Sequence, residues 1–466
     1  CRGRKGCRKN RSRSGHRVAT RVSARVQEAE EAAEVGGTVV DAIGAEALGV
    51  ATPRLHRTDL PNGLTVLSEA VPGARSVAFG AWVRAATLHE APERMGVSHL
   101  LEHMVFKGTT TRTAAEIALS LETLGGSLDA YTEREHTAYQ ARVLDEHLPD
   151  AVDVIGELIF EPLLREADLK LERKVILEEI SMVDDTPDDV IFDVHNRAVW
   201  GAHPHGFPIL GTRETVKSLS IPDLRALHEC AYHSGRIVVA ASGQVEHDAL
   251  LEYLERASWM SRGCGDMTPF VVPPPVANEA IAEHVMRKDI AQTHVVLGGA
   301  AIAHGDPRRF AFALLGMLLG GGMSSRLFQK VREEMGLAYS VHTFSSSFAD
   351  TGAHGVYLAS APDTAQQALD AVRDILSRVV QEGLSADDLA AGKRQLRGQL
   401  VLSMEGVSSR MYRAATTALY NEPHRSIDEL LALVDAVDSD TVLGVAREYF
   451  DPARQTLVSL GPKAVV

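Results

Sequence analysis

The stretch His99-Leu-Leu-Glu-His103 sets two imidazoles and a carboxylate within five residues. Apolar residues at 97, 100, 101, 104, 105 and 106 recur at helical spacing, which predicts a helix here. On a helix His99 and His103 stand four apart, one turn up the same face, where both rings can converge on one metal ion. Glu102, three positions after His99 and next to His103, lies beside that face. Its carboxylate is better placed to take a proton from water at the metal than to serve as a third ligand. A trio of this kind suits metal-assisted hydrolysis.

The order is the inverted form of the two-histidine, one-glutamate pattern of zinc peptidases. Its competitor is a helix whose two histidines merely cap or solvate one face, so the rest of the chain must decide. A catalytic zinc takes three protein ligands and keeps one position open. The strongly helical run Asp168–Val183 offers Glu172, Glu178 and Glu179. Glu172 and Glu179, seven apart, share a face with Ile176 near their line, and Glu178 points about a quarter turn away. Spacing by itself leaves the three open.

Stepping outward, 466 residues exceed one compact core and predict two or more domains. No apolar run approaches bilayer length; the longest, Phe310 to Leu319, is about half of it, so no membrane span is expected. The formal charge of −14 is uneven: residues 1–27 hold ten Lys/Arg and no acid, so the rest carries −24. An acidic body disfavours nucleic acid and suits cationic peptides. Cys1, Cys7, Cys230 and Cys264 show no metal-ligand spacing and read as isolated thiols.

Residues 1–52 read as a basic, disordered tail outside the fold, with Val18, Val22 and Val26 against Arg17, Arg21 and Arg25 as a weak targeting-type helix. Order is expected from Pro53. Asn62-Gly63 signals a hairpin between Leu55–Leu60 and Leu64–Leu67, and Ser76–Val83 reads as a strand. After the motif helix come a helix over Thr113–Leu124, strands at Ser127–Thr132 and Thr137–Val143, and a helix over Leu148–Phe160. The acidic run 184–189 reads as a solvated turn, and Arg236–Gly243 as a strand closing the first half. The Pro-rich segment 267–280 reads as a linker. Beyond it strand, helix, strand pair and helix recur: Thr293–Leu297, Arg309–Leu319, Ala338–Phe344 with Gly355–Ser360, and Pro362–Val380. This predicts an α+β fold of two homologous halves, 53–266 with the metal motif and 281–466 serving binding and shape.

His99-Leu-Leu-Glu-His103 followed by Glu172-Arg-Lys-Val-Ile-Leu-Glu-Glu179 resembles peptidase family M16, the pitrilysin, insulysin and mitochondrial processing peptidase group. Phe106-Lys-Gly-Thr109, Gly125-Gly-Ser-Leu-Asp-Ala-Tyr-Thr132 and Glu135-His-Thr-Ala-Tyr139 match too. So do Gly320-Gly-Gly-Met-Ser-Ser-Arg-Leu327 and Arg332-Glu-Glu-Met-Gly-Leu-Ala-Tyr-Ser340. The resemblance runs from about residue 58 to the C-terminus. It implies the LuxS/MPP-like metallohydrolase fold, each half a mostly antiparallel sheet packed with helices. It also implies one Zn²⁺ per chain on His99, His103 and Glu179, with Glu172 supporting and Glu102 as the catalytic base.

By the same resemblance Arg332 and Tyr339 reach substrate and stabilise the oxyanion, and substrate backbone adds to the strand edge at Asp129 and Ala130. Two departures bear on substrate preference: Arg84-Ala-Ala-Thr87 stands where relatives often have Gly-Ser-Arg, and Asp129 where many have asparagine. Related enzymes enclose short or unfolded peptides between two halves, and this chain is half that size. A homodimer is therefore expected, or a heterodimer with a metal-free sister chain. A non-catalytic scaffold or core subunit of the same fold is the rival reading, and a dedicated metal-binding protein a second. A bacterial cytoplasmic setting is expected; the Arg-rich, acid-poor N-terminus also fits the mitochondrial matrix.

Overall fold

Gly63, at φ +87°, turns the chain between β1 (Leu55–Asp59) and β2 (Thr65–Ala70), where the Asn-Gly pair marks a hairpin. The structure is a computed structural model that describes residues 55–278, 280–287 and 289–466. The expected N-terminal tail with its targeting-type helix, Cys1 and Cys7 lies outside the described residues. With β3 (Ser76–Val83), β4 (Ser127–Thr132), β5 (Thr137–Leu144) and β6 (Ile237–Gly243), the hairpin forms a six-stranded sheet. Its order is β1-β2-β6-β3-β5-β4, and only β2 and β6 run parallel. The strands β3 and β6 are buried along almost their whole length, which is why they read as unbroken apolar runs.

A second sheet contains β7 (Ala282–Met286), β8 (Thr293–Ala300), β9 (Ala338–Ser347), β10 (Gly352–Ser360) and β11 (Thr456–Gly461). Its order is β7-β11-β8-β10-β9, with β7 and β11 the parallel pair. Set β1 aside and the two sheets share one strand order and one pattern of directions. The chain is α+β, two mostly antiparallel sheets packed with helices, as the repeat in the sequence predicts.

The first half carries α1 (Val97–Val105), α2 (Ala114–Glu122), α3 (Leu148–Phe160), α4 (Glu166–Asp184) and α5 (Pro187–Trp200). It continues with α6 (Arg213–Ser218), α7 (Ile221–Ala231) and α8 (His247–Arg256). The second half carries α9 (Arg309–Gly320), a π-helical segment Phe328–Glu334, α10 (Ala365–Glu382) and α11 (Ala386–Ser403). It ends with α12 (Val407–Leu419), α13 (Ile427–Asp435) and α14 (Ser439–Tyr449). The acidic run 184–189 is not a turn throughout. Pro187 opens α5, and Asp188 and Asp189 occupy its first turn, where proline's fixed φ and a negative charge both favour a helix start.

Each half lends a helix to the other. From the first half, α5 sets Ile191, Val194 and Ala198 against Val296, Tyr357, Ala359, Val458 and Leu460 of the second sheet. In return α12 sets Met411, Ala414, Ala415 and Ala418 against Leu67, Ala78, Trp82, Val238 and Ala240 of the first. Among the described residues, the segment between the halves holds no regular element from 262 to 281, and it is fastened to the first half at several points. Arg236 lies 4.1 Å from the Phe270 ring, a ring nitrogen of His203 pairs with the Pro273 carbonyl at 2.9 Å, and Asn278 N donates to Val199 O at 2.7 Å.

Candidate metal centre

The helix that carries the histidines begins at a point only glycine can occupy. Gly96, at φ +86°, precedes α1, and a Cβ there would lie 2.6 Å from Leu210 O. Buried Glu90 satisfies the first backbone donors: Oε2 accepts from Gly96 N and Oε1 from Ser98 N, each at 2.8 Å. Val97, Leu100, Leu101, Met104 and Val105 are buried in the core, which leaves His99, Glu102 and His103 on the remaining face.

Helix α4 packs against α1 and carries a buried stripe of Leu169, Ile176 and Ile180. Glu172 and Glu179 fall on that stripe, and Glu178 is exposed. His99 Nε2 lies 3.9 Å from Glu179 Oε2, and His103 Nε2 lies 3.7 Å from Glu179 Oε1. One ligand atom from each of the three lies within 4.8 Å of the others. These separations are longer than hydrogen bonds and near the edge of a tetrahedron, about 3.4 Å, that ligands about 2.1 Å from a zinc ion would span. Burial, aided by neighbouring His103, holds the His99 imidazole down to about 3, so its ring is neutral and offers a lone pair. Glu179 Oε2 is buried with no hydrogen-bond partner. The donor set fits zinc.

Behind the ligands, His103 Nδ1 pairs with Glu172 Oε2 at 3.1 Å, and the other oxygen of Glu172 pairs with Lys107 Nζ at 2.7 Å. A carboxylate on the far nitrogen of a ligating histidine fixes its tautomer and ring orientation. Burial raises the Glu102 carboxyl above its ordinary value, and a hydrogen bond from Thr132 Oγ1 to Oε2, 2.6 Å long, opposes the rise.

The outermost strand beside this site is β4, whose far edge is unpaired in the sheet. Asp129 stands opposite Gln140, and Ala130 opposite Tyr139. Alternation places Ala130 on the face of Thr132, toward Glu102, and turns the exposed Asp129 to the opposite face with Tyr131. Arg332 and Tyr339 meet each other in the second half, the guanidinium 5.1 Å from the tyrosine ring. Arg332 lines a depression formed with Gly320, Gly321, Gly322 and Phe328, and Tyr339 is 75% exposed. Among the described residues no hydrogen bond or ion pair joins either one to His99, Glu102, His103 or Glu179.

Three contributors escape a reading by motif: Glu90, Lys107 and Thr132. Lys107 lies four residues after His103, and Thr132 two after Ala130, on the same strand face; both spacings were available signals. Glu90 acts across a loop and had none.

Comparison with known proteins places these residues in a family context. The profile of Insulinase (Peptidase family M16) matches residues 65–213, and that of the Peptidase M16 inactive domain matches residues 218–396. An uncharacterized zinc protease of Streptomyces coelicolor is 38% identical over 419 residues, 89% of this chain and 90% of the relative. One from Bacillus subtilis is 37% identical over 397 residues, 85% of this chain and 96% of the relative. Among solved structures, a peptidase M16 inactive domain from Pseudomonas fluorescens superposes with a TM-score of 0.82 at 19% identity, covering 88% of this chain and 98% of its own. A protease from Helicobacter pylori gives 0.82 at 20%, covering 88% and 100%. At such identities the structures show the fold alone.

Proposed function

The chain belongs to peptidase family M16, and on that premise we propose that it is a zinc-dependent endopeptidase acting on short or unfolded polypeptides, like a processing peptidase. The observation that carries this reading is the meeting of His99, His103 and Glu179 with the Glu102 carboxylate beside them. The three would hold one Zn²⁺ per chain, with Glu172 orienting His103. Zinc, when bound, supplies Lewis acidity that polarises a carbonyl and acidifies water. Glu102 takes the proton from the attacking water and passes it to the leaving amine. Substrate pairs with the free edge of β4 through the backbone of Asp129 and Ala130, so an extended conformation is recognised ahead of side chains. A folded strand already has its partners, which restricts substrates to short or unfolded chains.

The Arg332 guanidinium and Tyr339 hydroxyl are the donors this reading assigns to the oxyanion. We place that pair opposite the metal site of a second copy, so the working unit is a homodimer. A purified chain that stays monomeric and needs a metal-free sister chain for activity would select the heterodimer instead. Relatives from bacteria support a bacterial setting over a mitochondrial one.

The deciding experiment is Glu102→Gln. The variant should keep its zinc and lose cleavage of a peptide library by about 10²–10⁴-fold; a near wild-type rate would remove Glu102 from its role. Chelation should abolish cleavage by the wild type, and added zinc should restore it.

A further inference from the structure

Glu102 reaches out from α1 on rotatable bonds, and nothing within the helix fixes where its carboxylate points. The hydrogen bond it receives comes from another element: Thr132 Oγ1 donates to Oε2 at 2.6 Å. Thr132 is well placed to hold rather than follow. It is β-branched, buried and the last residue of β4, paired in the ladder with Thr137, whose hydroxyl donates to Ala85 O at 3.1 Å. The turn beyond it is fastened on both sides. Leu88 N donates to Arg134 O at 2.7 Å, and Arg134 donates to Phe207 O at 3.0 Å. Glu135 accepts from Tyr420 Oη at 2.7 Å and from Ala349 N at 2.9 Å, both in the second half.

We infer that Thr132 is a positioning residue that pins one carboxylate oxygen of Glu102 and leaves the other aimed at the metal side of the site. The inference rests on the reading of Glu102 as general base. It gives β4 two tasks: its edge registers the substrate backbone, and its terminal hydroxyl registers the base against the same peptide bond. Misplacement of a reacting group by about 1 Å can cost on the order of 100-fold in rate.

The test compares Thr132→Val, which keeps the shape and loses the hydroxyl, with Thr132→Ser, which keeps the hydroxyl. Both are made in the full chain beside Glu102→Gln. A fluorogenic peptide reports kcat and KM, competition with a chromophoric chelator reports zinc affinity, and thermal unfolding reports the fold. The valine variant should lose about 10–100-fold in kcat, with KM and zinc affinity within about twofold of wild type. The serine variant should stay within about threefold of the wild-type kcat. Should valine fail to fold, Thr132→Ala takes its place under the same criteria. A hydroxyl-free variant with wild-type kcat beside an inactive Glu102→Gln overturns the inference and leaves the base intact. A serine variant as slow as valine overturns it too, since packing would then be what Thr132 supplies. If Glu102→Gln itself cleaves normally, the reading of the base fails and the inference falls with it.

Discussion

Glu172 is buried and binds two partners at once: one oxygen meets His103, the other Lys107. A buried carboxylate that loses its cation must take up a proton or tolerate an uncompensated charge. In either state it is a poorer anchor for the imidazole. Lys107→Met should therefore weaken zinc binding by about 10–100-fold, the usual cost of losing a support behind a metal ligand. Chelator competition measures this directly, and Lys107→Arg should recover most of the loss. Other titrations belong to the same scale. Burial holds His136 and His195 down to about 4, and His205 and His354 down to about 3. The unfolded chain protonates these rings near 6.5 while the folded chain does not, so stability present above that pH is lost as pH falls through it. Each ring contributes a slope of about 1.4 kcal/mol per pH unit in that window. Glu90 acts the other way. Burial raises it to about 7 from 4.5, so the folded chain holds an extra proton between those values and gains stability as pH falls. Burial raises Glu102, Glu133, Glu135 and Asp193 in the same sense, but it holds down a larger number of imidazoles, His89 to about 4 among them, so the net is a loss and the midpoint of thermal unfolding should drop steadily from pH 6.5 to pH 5.

At the scale of elements, the helix start before His99 is the most exacting position. An added Cβ at Gly96 meets the Leu210 carbonyl at 2.6 Å and Gly211 Cα at 2.9 Å, and the backbone sits at φ +86°. Gly96→Ala should cost about 1–3 kcal/mol from the dihedral alone, read as a lowered Tm, and should weaken zinc binding because α1 must shift. This helix was legible because its apolar residues keep a 3.6-residue period, and β4 was legible to the residue. Glu179 could not be chosen over Glu178 by spacing. The signal lay in the apolar stripe Leu169, Ile176, Ile180, on which Glu172 and Glu179 sit as the anomalous acids. What stayed hidden was α5, whose polar first turn looked like a loop, together with α6 to α8 and the helices from α11 to α14. Mean hydropathy along α11 is low and only Gly392 and Leu396 are buried, so no stripe stands out from the sequence. Thr132 escaped for another reason: its partner, thirty residues earlier, is fixed only once β4 lies beside α1.

For the whole molecule, the exchange of α5 and α12 governs how the halves can exist apart. Periodicity shows that a helix has an apolar face but not which sheet the face covers, so the chain read as two domains joined by a Pro-rich spacer. Separation at that spacer would strip α12 from the first sheet and expose Leu67, Ala78, Trp82, Val238 and Ala240, while Ile191, Val194 and Ala198 of α5 would lose their sheet. Contiguous apolar surface of this kind drives aggregation or partner binding. Residues 53–278 produced alone should therefore bind a hydrophobic dye and unfold without a sharp transition, although they contain all of His99, Glu102, His103 and Glu179. Produced together with residues 279–466, they should copurify, regain a cooperative transition and bind zinc as the intact chain does. The second half would then be required for the metal site through packing before any contact with substrate. Calorimetry of the isolated first half decides the matter: a single cooperative transition close to that of the intact chain would mean that the exchanged helix is dispensable.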